Sequence, residues 1–124
     1  MVKLNDDMKK LIKKNALAFA TVDDNGNPHC IAVGFAKVVS NKQVLITDNF
    51  LVETTKNIKI NPNVALTVWS RNWEDDCKGF ELKGIAEYFK DGRWYEEIKK
   101  IPENEKMPCK GAILVTVNKI KRLA

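Results

Sequence analysis

The sequence predicts a mainly β protein: a small closed or half-open antiparallel barrel of six strands, with a few short helices set between them. Three observations carry this expectation. Six segments rich in β-branched and aromatic residues are separated by clusters of Asp, Asn, Gly, Pro and Ser. Helical periodicity is confined to three short stretches. A chain of 124 residues can build one hydrophobic core but hardly two, and closing the sheet on itself protects its strand edges. Residues 1–124 are therefore read as one domain.

The elements follow in order. Leu4, Met8, Leu11 and Ile12 fall on one helical face, with Asn5 placed to cap the helix and Asp6 and Asp7 suited to its electropositive first turn. Residues 16–22 read as a strand, and Asp23-Asp24-Asn25-Gly26-Asn27-Pro28 supplies turn chemistry after it. A second strand runs over residues 29–39. Ser40-Asn41-Lys42 turns it into a third at 43–47, so that the three form an antiparallel meander. Leu51, Thr54, Thr55 and Ile58 then share helical spacing, and Asn61-Pro62-Asn63 stops that helix. Residues 64–70 are a fourth strand, 71–78 a polar loop, and 79–89 a long fifth strand in which Phe80, Leu82 and Tyr88 alternate with Glu81, Lys83 and Glu87. Gly84 inside it marks a bulge or a bend at a barrel corner. A short helix carries Trp94, Tyr95, Ile98 and Ile101, residues 102–108 are loop, and 111–117 form a sixth strand.

Composition narrows the function. With 44% hydrophobic and 30% charged residues the chain is not a disordered one. The 21 Lys+Arg against 16 Asp+Glu give a net charge of +5, which permits an anionic partner. The basic residues are dispersed, however: Lys9, Lys10, Lys13 and Lys14 in one segment, Lys119, Lys121 and Arg122 in another. A nucleic-acid footprint is normally a denser stripe interleaved with aromatics, so no nucleic-acid partner is expected. No apolar run approaches the roughly 18 residues of a membrane span, and the first residues lack the apolar core of a secretory signal. No membrane partner and a cytoplasmic location are the expectations. Cys30, Cys77 and Cys109 form no CxxC pair, and the lone histidine, His29, points away from Cys30 on a strand, so neither a metal site nor a Cys–His nucleophile is predicted. GxSxG, HExxH, Walker and GxGxxG motifs do not occur.

The most informative stretch is residues 47–64, TDNFLVETTKNIKINPNV. A strand ends in a polar turn and a helix opens, so first-turn N–H groups without intrahelical partners sit beside the hydroxyls of Thr54 and Thr55 and the charge of Lys56. Such a set suits a terminal phosphate through charge-assisted hydrogen bonds, although threonine at a helix start also commonly satisfies its own backbone.

Three segments, in order, resemble the FMN-binding split-barrel superfamily related to pyridoxamine 5′-phosphate oxidase, at the size of its minimal bacterial FMN-binding proteins. They are LAFATVDDNGNPHCIAVGF, TTKNIKINPNVALTV and KGFELKGIAEYF, with GAILVTV fitting the closing strand. The resemblance implies a six-stranded antiparallel split β-barrel of Greek-key type, with FMN as cofactor in a cleft at a homodimer interface. It places Ala32, Val33 and Gly34 beside the flavin and Thr47, Asp48, Asn49 and Phe50 in the loop under its ring. Thr54, Thr55 and Lys56 would meet its phosphate. Two positions depart from the family's pattern: Glu53, where minimal relatives can carry a basic residue, and Pro108, where relatives can carry an aromatic that reaches the partner's flavin. Trp69, Trp73 and Trp94 are candidates for that interface or for the core.

The implied function is a small flavoprotein that passes electrons or hydride, in a flavin-reductase-like or electron-transfer role; no catalytic residue is assigned. Two alternatives stay open. One is an oxidoreductase of the same fold with its own substrate, either a pyridoxamine-phosphate-type oxidase or a deazaflavin-dependent reductase. The final KIKRLA offers no counterpart to the substrate-binding basic residues of the longer oxidases. The other is a non-enzymatic β-barrel that binds nucleic acid through basic surface and aromatics.

Overall fold

In the computed structural model, which describes residues 2–123, the elements run α1 (Asp6–Lys14), β1 (Leu17–Val22), β2 (Pro28–Val33), β3 (Ala36–Ser40), β4 (Gln43–Asp48), α2 (Glu53–Ile60), β5 (Asn63–Trp69), β6 (Gly79–Phe89), α3 (Gly92–Lys99) and β7 (Gly111–Arg122). A 3₁₀ turn, Pro102–Asn104, interrupts the loop after α3, where the proline ring is preset for a helical first position. The seven strands form one antiparallel sheet in the order β2-β1-β5-β6-β7-β4-β3.

That order explains the curl. The two outermost strands, β2 and β3, are consecutive in the chain and joined only by Gly34 and Phe35. Two residues span at most about 11 Å between flanking Cα atoms, so the sheet must bend round until its edges meet at this seam. The fold is the expected split barrel, with one more strand than the sequence reading gave. The predicted single strand over 29–39 is in fact two, because its halves serve opposite edges: β2 pairs with β1 and β3 with β4. The meander is broken at the same point. The last strand also runs five residues beyond the predicted Val117, because residues 119–122 pair with residues 80–83 of β6. Ser70 leaves the fourth strand and folds inward, where its hydroxyl donates to the Asp76 carbonyl and accepts from the Lys78 N–H (3.2 Å).

Local chemistry sets the helices. Asn5 accepts from the Met8 N–H at 2.9 Å, capping α1 as its sequence predicts. Leu4, Met8 and Ile12 are buried on the face turned to the barrel. Asn57 on α2 donates to the Thr21 hydroxyl of β1 at 3.0 Å, a buried pair that ties this helix to the sheet.

Apolar residues gather in two clusters. The larger fills the barrel around Phe19, Leu66, Leu82, Ile113 and Val115. The smaller lies outside the sheet, where Leu45, Ala112 and Leu114 meet Ile98 and Ile101, with Trp94 and Tyr95 packed against them. Because α3 covers β4 and β7 from outside, Val44, Leu45 and Ile46 are all buried, as are residues 111–115. Continuous rather than alternating apolar runs are what a strand covered on both faces requires. At Lys83/Gly84 the β6–β7 register shifts, as the glycine predicted. Among the described residues no helix is long and apolar enough to cross a membrane.

Candidate functional site

A cleft of about 430 Å³ opens at the seam, a size usual for small-molecule and cofactor sites. One wall is the end of β2 and the seam itself, Ala32, Val33, Gly34 and Phe35. Thr47, Asn49, Phe50 and Leu51 form the second wall, and Glu103, Asn104 and Met107 the third.

The second wall is held from beneath by Asp48. This buried carboxylate accepts from the Leu51 N–H at 2.9 Å through Oδ1 and from the Tyr88 hydroxyl at 2.7 Å through Oδ2. The Lys110 ammonium lies 3.7 Å from Oδ1 and donates to the Leu51 carbonyl at 3.1 Å. An aspartate that bonds a following backbone N–H stabilises a tight turn, so residues 48–51 are fixed and Phe50, 69% exposed, is left at the rim. Gly111 makes room for this arrangement, since a Cβ there would press into the Tyr88 ring.

Asparagines join the second wall to the third. Asn49 accepts from the Cys109 N–H at 2.9 Å and donates to the Asn104 side chain at 3.4 Å. Asn104, itself buried, donates to the Thr47 hydroxyl at 2.7 Å and to the Ile98 carbonyl at 2.8 Å. Lys106 and Cys109 adopt positive φ in the same loop. The segment carrying Glu103 and Met107 is thereby tied to the end of β4.

Six of the ten sequence-predicted positions line this one cleft: Ala32, Val33, Gly34, Thr47, Asn49 and Phe50. Four do not. Asp48 supports the wall from below. Thr54 is buried on the inner face of α2. Thr55 donates its hydroxyl to the Val52 carbonyl at 3.0 Å, the local alternative open to threonine near a helix start. Lys56 is exposed on α2. Sequence reasoning missed Phe35, Leu51, Glu103, Asn104 and Met107. Phe35 was hidden inside an assumed continuous strand and Leu51 inside the helical spacing, while the other three sit in a loop without periodicity.

Burial, followed by the hydrogen bond to Asp48 and that carboxylate's charge, pushes the Tyr88 phenol well above the ordinary tyrosine value of about 10. Below pH 10 the folded and unfolded chains both keep this proton. Above it the unfolded chain releases a proton that the folded chain retains, so stability falls as pH rises. The thermal midpoint is expected to drop more steeply above pH 10 in the parent protein than in Tyr88→Phe. Equal slopes would remove Tyr88 from the alkaline transition.

A curled antiparallel sheet whose edges meet at a walled cleft defines the class: this is a split-barrel protein of the FMN-binding superfamily. The family described as pyridoxamine 5′-phosphate oxidase matches residues 4–124, and the chain belongs to it. An uncharacterized protein of Methanocaldococcus jannaschii is 35% identical over 130 residues, covering 99% of this chain and 83% of its own length. HupZ of Group A Streptococcus is 25% identical with a TM-score of 0.87, over 97% of this chain and 94% of that one. An FMN-binding protein from Syntrophomonas wolfei shares the fold at 14% identity and a TM-score of 0.77, over 94% and 83% of the two chains. An F420 reductase does so at 22% and 0.67, over 90% and 92%.

Proposed function

We propose that the chain is a small FMN-binding oxidoreductase or electron-transfer protein, working in the cytoplasm as a homodimer with one flavin in each seam cleft. The observation that carries this reading is the cleft itself, where exposed backbone and an exposed aromatic face each other across a gap of cofactor size. Gly34 has open space where a Cβ would stand, so its main chain is accessible to a flat ring. Phe50 at the rim offers a ring face for stacking.

Among the described residues the cleft lining holds no cation, and Glu103 is its one ionisable side chain. In this reading the phosphate lies outside the cleft, at the start of α2. There Val52 caps the helix without a side-chain hydrogen bond, first-turn N–H groups lack intrahelical acceptors, and Lys56 supplies charge. FMN, when bound, supplies hydride or electron transfer. The chain's own residues position it: Asp48 and Asn104 hold the walls, and Phe50 limits access of water. Phe50 and Met107 at the cleft and Val52 and Ile60 around α2 leave apolar surface exposed, which supports a second copy closing over this side.

Mass spectrometry of the ligand released from freshly purified protein tests the reading. FMN is the expected result. A deazaflavin would reassign the cofactor, and no ligand together with no binding of added FMN would overturn the proposal. Lys56→Glu is expected to weaken FMN about tenfold, the worth of one charge-assisted hydrogen bond, while leaving riboflavin unchanged. Equal loss for both ligands would take α2 out of the phosphate site.

A further inference from the structure

A second concavity, of about 440 Å³, adjoins the cofactor cleft and shares Phe35 and Glu103 with it. Four lysines line it: Lys9 and Lys13 one turn apart on α1, Lys37 on β3, and Lys100 just after α3. Its floor is apolar, built from the start of β3 and from Ile101. Lys37 is neutralised by Glu97 at 2.7 Å. Lys9 donates to the Asn41 side chain at 2.8 Å, a neutral partner. Neither Lys13 nor Lys100 is in an ion pair among the described residues, although the field of Lys100 reaches Glu97. Among the described residues Glu103 is the only carboxylate lining the groove. Two positive charges are thus left in excess over an apolar floor.

We propose that this groove binds a small amphiphilic anion, a phosphate monoester carried on an apolar body. A monoester dianion of about −1.5 to −2 matches the excess charge, and Phe35 and Ile101 give its body a surface to leave water. A bare inorganic ion would leave that floor wet, and a neutral apolar molecule would leave the ammonium groups unmatched. Grouping of the lysines around one groove, rather than along a stripe, suits a small molecule and not a polymer. The site stands on the groove alone and does not depend on which cofactor fills the neighbouring cleft.

The test is a titration of the full-length, isotope-labelled chain with octyl phosphate, inorganic phosphate and octanol, followed by amide NMR. Octyl phosphate below its micelle concentration is expected to bind saturably, shifting amides at residues 9–13, 35–38 and 100–103. The other two probes should bind at least about tenfold more weakly. Lys13→Ala with Lys100→Ala, both exposed positions, should weaken octyl phosphate by about tenfold or more without altering the remaining spectrum. Unchanged affinity in that variant, shifts centred on residues 49–51 instead, or absence of saturation would each overturn the proposal. Sedimentation with phosphatidic-acid vesicles separates the sources of this chemistry. Binding lost in the double variant assigns a lipid headgroup, and no sedimentation alongside octyl phosphate binding assigns a free metabolite; either outcome upholds the site.

Discussion

Gly84→Ala is expected to cost about 3 kcal/mol or more, a large share of the 5–15 kcal/mol that holds a domain of this size together. The added Cβ would press on the carbonyl oxygen and carbon of Thr116 and lie 3.1 Å from a methyl of Val115. A backbone carbonyl cannot rotate aside as a side-chain tip can. The strands would have to part where β6 and β7, the two longest, exchange register. Urea unfolding of parent and variant checks this, and a loss below about 1 kcal/mol with an unchanged slope would refute the clash.

Asp48→Ala is the second large effect expected. It strips the acceptor from the Tyr88 hydroxyl and the Leu51 N–H and removes the nearest carboxylate from Lys110. A fully buried donor left unpaired costs about 1–3 kcal/mol; both of these are half-buried, so a total of roughly 2 kcal/mol is expected. The turn that carries Phe50 also loses its anchor. FMN affinity, followed by quenching of flavin fluorescence, should fall by about tenfold or more at temperatures where circular dichroism shows the variant folded. Parent-like affinity in a folded variant would separate this turn from cofactor binding.

What could be read from the sequence, and what could not, divides along physical lines. Local rules worked where one interaction decides. Asn5 sits three residues before the N–H it caps, Leu4, Met8 and Ile12 show their face by spacing, and Gly84 marks a place where a neighbouring backbone comes too close for a side chain. The resemblance brought the walls of β2 and β4 together on paper, and both line one cleft. The break at Gly34-Phe35 was not legible, because both halves of the segment have strand character and only the curl of the whole sheet separates them. Asn104 was silent for a different reason. Its partners Thr47 and Asn49 lie more than fifty residues earlier, and nothing in a loop's composition reports a contact at that distance. Thr54 misled because periodicity alone does not say whether a hydroxyl faces ligand or core.

The place of β7 between β6 and β4 has a consequence for how the molecule comes into being. It is the last of the seven strands in chain order, yet it joins two groups, β2-β1-β5-β6 on one side and β4-β3 on the other. Without β7 the remaining strands would make two separate partial sheets, each with an unpaired border. Assembly of the seven-stranded sheet therefore waits on β7, which has to pair with β6 and β4 together.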